Sequence, residues 1–406
     1  MRKSIVLLAL LGVATNRADA RRGPDMAKLL SDQTERRVPS TPMPSLHQSF
    51  VDPVFSTRIT RITAASQIPG GKVTRVRHYY SKMNPWNADE TRAVFTTSDG
   101  GSWLYDTATW KPIKDLKLQS SDPEMSWHPT DPNLFYFLEF ANNSPNVRAM
   151  MRYDIRTDQK TLLRDFSEYE TARGKLEGNM DAAGRYYALI GKKGSALQAF
   201  VYDVAQNKVS KKIDVTEKMA ADWISVTPSG KYVVLMGGDR SRVYDIEMNL
   251  VTELPKGSFG HADLCTTQDG RDVMVYDGAD HQLDGNRNLN IADLATGKVG
   301  KVARIGWGTT PHVSCRNTQL PGWALISTQG PDGKFRNFDF EIFWVKLDGS
   351  GEVRRVAHHH SDRENGGYFA EQHAVANKTG DKIIFSSNWG GKGEIADYLI
   401  DLSARD

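Results

Sequence analysis

The chain has 406 residues, 39% of them apolar and 25% charged, with 52 Lys and Arg set against 49 Asp and Glu. Charge so nearly balanced, with both signs interspersed, gives no electrostatic footprint for nucleic acid. The one sustained apolar run, Ile5 to Val13, falls well short of the about 20 residues a bilayer span requires, so no membrane-spanning segment is expected.

That run sits where an export signal would. Arg2 and Lys3 precede it, and Ala18-Asp19-Ala20 follows as a small-residue cleavage pattern. Residues 1–20 are therefore expected to be a signal peptide, which places the mature protein outside the cytoplasm, secreted or periplasmic. Removing them takes away two net positive charges and leaves a formal +1. Residues 21–55 are rich in Pro, Ser, Arg and Gln. Val38-Pro39-Ser40-Thr41-Pro42-Met43-Pro44 cannot continue a helix or a central strand, so an extended arm is expected there.

From residue 56 to 406 the chain repeats. An apolar strand ending in Tyr-Asp or a variant recurs at Tyr105-Asp106, Tyr153-Asp154, Tyr202-Asp203, Tyr244-Asp245, Ala292-Asp293, Val345-Lys346 and Ile400-Asp401, spaced roughly 42 to 55 residues apart. A polar turn leading into a β-rich run precedes each, as in Pro228-Ser229-Gly230, Gln268-Asp269-Gly270 and Thr379-Gly380. That period is the period of propeller blades, each a small sheet unable to bury both faces alone. The expected fold is all-β: a seven-bladed β-propeller of four-stranded antiparallel blades. The alternating segment Thr57 to Thr63 would close the ring as the outer strand of the last blade. An open pair of β-sandwiches is the rival architecture. Cys265 and Cys315 fall on first strands of neighbouring repeats, where a disulfide and two buried thiols are both open.

The first strand of each blade lines a propeller's channel, and three of the ten histidines occupy comparable places at the starts of three consecutive first strands: His261, His312 and His373. His78 enters the same rim, with Tyr80 beside it. Asn179, Trp223 and Arg316 are candidates for substrate contact, Trp223 and Tyr80 by stacking on a sugar face. Strand alternation would point Asp263 the same way as His261. His128, in a His-Pro turn, reads as structural, and His358-His359-His360 as a solvated connection. His281 lies in what reads as a polar insertion, Asp277 to Asn290. Three imidazoles near one point could bind a divalent metal with Gln372 or Asp263 as oxygen ligand. They could instead act without metal, as acid/base groups and as donors to a substrate carboxylate.

Gln372-His373-Ala374 through Thr379-Gly380-Asp381 to Asn388 resembles the last blade of oligogalacturonate-lyase-type propellers. Gly260-His261, with Asp269-Gly270 and Val275-Tyr276, resembles an earlier blade of that family, and the likeness is specific over the last three blades. The blade pattern is also similar to TolB-like binding propellers. The lyase resemblance implies inner-strand histidines and a Gln holding a metal at the channel mouth, here His261, His312, His373 and Gln372, with Mn, Ca or Zn as the ion. The related metal-free ulvan lyases imply His, Tyr and Arg for the same chemistry. Either way the expected function is a polysaccharide lyase acting on an acidic, uronate-containing glycan by β-elimination. His261, His312 and His373 would neutralise the carboxylate, and His78 or Tyr80 would move the proton. The alternatives are a non-catalytic binding propeller and a hydrolase using the same channel site.

Overall fold

The computed structural model describes residues 23–70, 72–118, 124–141, 146–255, 260–279, 287–304, 311–330 and 335–403. The expected signal peptide and His281 lie outside them.

All seven Tyr-Asp copies and variants end strands: Ser102–Asp106, Val147–Asp154, Ala196–Asp203, Arg242–Asp245, Arg287–Asp293, Glu341–Lys346 and Ile395–Asp401. The motif has two jobs. Its tyrosines at 105, 153, 202 and 244 are buried between sheets. Its aspartates accept backbone N–H groups of the following turn, as Asp106 does from Ala108 and Thr109, and Asp293 from Thr296. Where the sixth copy has Lys346, Asp348 does this instead, accepting from Ser350 N. The polar turns are equally local in origin. Gly230 and Gly270 sit at φ 74° and 82°, a region open to glycine, and donate to the carbonyls of Thr227 and Thr267.

Among the described residues the strands form six sheets. Four are four-stranded antiparallel meanders that begin at Ser126–Trp127, Ile224–Val226, Ala262–Thr266 and Pro311–Ser314, and a fifth, five-stranded sheet begins at Thr171–Arg173. The largest has nine strands. In it two meanders meet where Arg75–Arg77 runs parallel to Ile395–Asp401. Arg58–Arg61 pairs antiparallel with Ile395–Asp401, Ile59 opposite Ile400, as the alternation of that segment predicts.

Period-two side-chain alternation lets each strand serve two cores. Val273 and Val275 face the meander after theirs, while Met274 and Tyr276 face the one before. Hydrophobic clusters of this kind lie between every successive pair of meanders, including the last and the first, where Val375 and Ile384 pack with Val76, Ala93 and Phe95. Cys265 and Cys315 form a disulfide between first strands of adjacent sheets, with Cα atoms 5.2 Å apart.

Two sequence readings change. Much of the expected polar insertion is strand, since Asp277, Gly278 and Ala279 pair with Leu289, Asn288 and Arg287. His358-His359-His360 is not a solvated connection; all three are buried, and the N-terminal arm packs on His358 and His360. His358 Nε2 lies 3.2 Å from Arg36 O, and His360 stacks on Trp389, whose indole N–H donates to Thr41 O at 2.9 Å. Buried Arg355 anchors the same arm, donating to Thr34 O at 2.6 Å while pairing with Glu341.

Candidate functional site

The connection into the last meander is built to present side chains. A helical turn at Arg363–Gly366 is capped by Asp362, which accepts from Glu364 N and Asn365 N, and a 3-10 turn follows at Tyr368–Ala370. Glu371, Gln372 and His373 then emerge in succession. His373 has φ 40°, left-handed and disfavoured for a residue bearing Cβ. Such a conformation costs about 1–3 kcal/mol and persists only where its surroundings enforce it.

His312, on strand Pro311–Ser314, and His261, just before Ala262–Thr266, come alongside. The ring centroids of His261 and His312, and of His312 and His373, are 4.2 Å apart in each case. The Nε2 atoms of His312 and His373 lie 3.3 and 3.6 Å from Oε2 of Glu371, and neither makes a hydrogen bond. Oε1 of Glu371 receives Nε of Arg363 at 3.0 Å. Burial pushes the Glu371 carboxyl up, against the pull of Arg363. It pushes His312 and His373 well below the usual imidazole range, with neighbouring positive groups adding to the effect. The neutral imidazole is favoured at His312 and His373.

The rings are also held in defined tautomers. Nδ1 of His261 is 3.1 Å from the Pro311 carbonyl, which can only accept, so Nδ1 carries the proton and Nε2 is left as the acceptor. His373 is the reverse. Buried Arg77 donates Nε to His78 O, Nη1 to Phe369 O and Nη2 to Nδ1 of His373. A guanidinium cannot accept, so neutral His373 carries its proton on Nε2.

Beside the histidines opens a cleft of ≈ 450 Å³, lined by Arg75, Arg77, Tyr80, Glu177, Tyr368 and Phe369 among others. Its size is that of small-molecule sites. Tyr80 forms the junction, its ring centroid 4.6 Å from His373 and 5.7 Å from His312. Burial, with the charge of Glu177, raises the Tyr80 phenol well above its usual range and keeps it protonated.

Several expected site residues stand elsewhere. His78 is fully buried, with Nδ1 2.8 Å from Asp397 Oδ2 and Nε2 2.7 Å from His373 O, so neither nitrogen is free to move a substrate proton. It supports His373 instead. Trp223 is 2% exposed and the Lys82 ammonium lies 4.0 Å above its ring, which closes that face to a sugar. Asp263 is neither ligand nor channel group; its carboxylate receives Cys315 N and Arg316 Nε and Nη2. Arg316, thus engaged, lines with Asn179 a small cavity of ≈ 90 Å³ shared with Pro228, Thr318 and Lys378. Those last three residues follow the first strands, whereas His261 and His312 stand at or before their starts, so Asn179 and Arg316 belong to the other end. Gln372 stays beside the histidines, its amide nitrogen donating to Ser327 O at 2.8 Å and lying 3.5 Å from Nδ1 of His312. His128 is structural, as expected, accepting from Asp131 N at 2.9 Å.

The carboxylate that joins the histidines is Glu371, one residue before the Gln that sequence reasoning chose. Ligand atoms of His312, Glu371 and His373 lie within 4.8 Å of one another. Two buried, unbonded imidazole nitrogens and a carboxylate oxygen make a donor set suited to a borderline or hard divalent cation. The residues fit a metal, provided Arg77 releases Nδ1 so that the His373 proton can leave Nε2.

Two solved structures share the fold. An oligogalacturonate lyase from Vibrio parahaemolyticus matches with TM-score 0.61 and 13% identity over 87% of this chain and 96% of that one. An oligogalacturonate lyase in complex with manganese matches with TM-score 0.60 and 14% identity over 88% and 96%. No protein-family model and no curated protein matches the sequence.

Proposed function

We propose that this protein is a secreted polysaccharide lyase that cleaves a uronate-containing glycan by β-elimination at one mouth of a seven-bladed propeller. Residues 1–20 would be the signal, 21–55 the arm, and 56–406 the propeller. The seven strand-ending motifs, the clusters between every successive pair of meanders and the pairing of Arg58–Arg61 with the last strand support that ring. The Cys265–Cys315 disulfide suits an oxidising compartment.

One observation carries the chemistry: His261, His312, His373 and Glu371 converge at the end of an aromatic, arginine-bearing cleft. His312, His373 and Glu371 would hold a divalent cation, with His261 at its side. When bound, that cation supplies Lewis-acid polarisation of the uronate carboxylate, which acidifies the C5 proton. His261 Nε2, the acceptor nitrogen, takes the C5 proton. The C4–O bond breaks, the C4=C5 double bond forms, and the Tyr80 phenol donates its proton to the departing oxygen. His78 and Asp397 hold the backbone that carries His373. The test is His261→Gln and Tyr80→Phe, each expected to lower the rate of unsaturated-product formation by 10²-fold or more while the fold is retained. Full activity in both variants contradicts the assignment.

A further inference from the structure

His312 lies on Pro311–Ser314 and His261 just before Ala262–Thr266, first strands of two different sheets, so no ladder of backbone hydrogen bonds sets the distance between them. The 4.2 Å spacing of the two rings depends instead on groups that cross the gap. Nδ1 of His261 reaches Pro311 O at 3.1 Å. Further along, the Asp263 carboxylate takes Cys315 N at 2.7 Å together with Nε and Nη2 of Arg316. Beyond that Cys265 and Cys315, four and three residues after their respective histidines, are joined covalently. Hydrogen bonds can lengthen or exchange partners; the disulfide cannot. Both cysteines are buried, packed with Val273, Val313 and Phe343 between the two sheets. A reductant in solution therefore has no access to either sulfur in the folded protein, and the redox state is fixed as the chain folds.

We infer that the Cys265–Cys315 disulfide is a positioning element of the site: it holds His312 in register with His261 and within reach of Glu371, so that the metal-binding set is complete only in a chain folded where its thiols are oxidised. This rests on the metal-binding reading of His312, His373 and Glu371 and adds its control by redox state. On closure the two thiols lose two protons and two electrons and the S–S bond forms. A disulfide of the compartment, small or protein-borne, takes up both and is reduced to two thiols. The same chain folded among reduced thiols keeps its sheets but has a slack site, which confines metal chemistry to protein delivered to an oxidising compartment.

The test is Mn²⁺ binding by calorimetry, which needs neither substrate nor turnover. Mn²⁺ is titrated into the oxidised wild type, into Cys265→Ala/Cys315→Ala, and into Cys265→Ala/Cys315→Val, which refills more of the space. The control is Leu189→Ala, a truncation in the apolar cluster between two other meanders, which lowers stability without touching the site. Circular dichroism establishes that each is folded at the temperature used. Groups that only orient metal ligands govern affinity by about 10–100-fold, so both cysteine variants are expected to lose about 10-fold or more and Leu189→Ala less than about twofold. Cysteine variants that bind as the wild type does, or an equal loss in Leu189→Ala, would overturn the inference. So would cysteine variants that do not fold, because the bridge would then serve folding and not spacing. Failure of the metal reading shows separately, as a wild type that itself binds no Mn²⁺, and that result overturns both.

Discussion

Arg77 and His373, 296 residues apart in sequence, meet where the Nη2 of one buried side chain donates to Nδ1 of another. The contact sets which nitrogen of His373 faces Glu371 with a proton. It also joins the first meander to the last at the point where backbone strain is held. In metal-free protein the His373 ring proton is therefore expected on Nε2, read directly from long-range ¹⁵N–¹H correlations of the imidazole. A proton on Nδ1 would show that Arg77 does not control the ring.

Glu371 is the only carboxylate within reach of both His312 and His373 among the described residues. Glu371→Gln keeps the shape and removes the charge, and should weaken Mn²⁺ binding by 10-fold or more in calorimetry. Gln372→Glu should not compensate, because that side chain reaches Ser327 O and Nδ1 of His312, whereas Glu371 faces the Nε2 atoms of His312 and His373. Unchanged Mn²⁺ affinity in Glu371→Gln would remove it from the ligand set.

Asp263 and Arg316 should matter to stability before chemistry. Their ion pair is buried, and Asp263 also receives the backbone N–H of the disulfide's Cys315. Asp263→Ala leaves Arg316 buried without its partner and is expected to cost about 3–5 kcal/mol in denaturant unfolding. Reducing Cys265–Cys315, which spans 50 residues, should cost about 4 kcal/mol more in loop entropy. A change below about 1 kcal/mol for Asp263→Ala would contradict the structural role.

Acid should loosen the arm. Burial lowers His359 to about 3 and His360 to about 4, with neighbouring histidines adding to the effect. The unfolded chain, with imidazoles near 6.5, therefore binds more protons, and stability falls as pH drops below 6.5. Each group contributes a slope of about 1.4 kcal/mol per pH unit, until about pH 4 for His360. His360→Phe, which preserves an aromatic against Trp389, should remove its share of that slope from unfolding free energies measured between pH 6.5 and 4.5. An unchanged slope would mean that His360 titrates alike in both states.

The repeat was legible because each unit is specified locally: an Asp that caps its own turn, a glycine at positive φ, a strand that alternates. The convergence of His261, His312 and His373 was legible for the same reason, since each holds an equivalent place in its repeat. Glu371 was not, because it lies in a non-repeating connection, between the turn at Tyr368–Ala370 and left-handed His373, that has no counterpart in the other repeats. His78 and Trp223 misled because proximity to a rim does not reveal that Asp397 and Lys82 have already taken them. Arg77 gave no signal at all: Phe369 and His373, to which it donates, lie at the opposite end of the chain.

The proposed elimination creates a C4=C5 double bond conjugated to the uronate carboxylate, and it is read by ultraviolet absorbance. Purified protein supplied with Mn²⁺ is incubated with a panel of uronate polymers and oligomers: galacturonate, glucuronate-containing, guluronate and mannuronate. At least one is expected to give steadily rising absorbance that chelation or Glu371→Gln abolishes. Folded, metal-supplied protein that leaves the whole panel unchanged, or that releases only saturated sugars, contradicts the lyase.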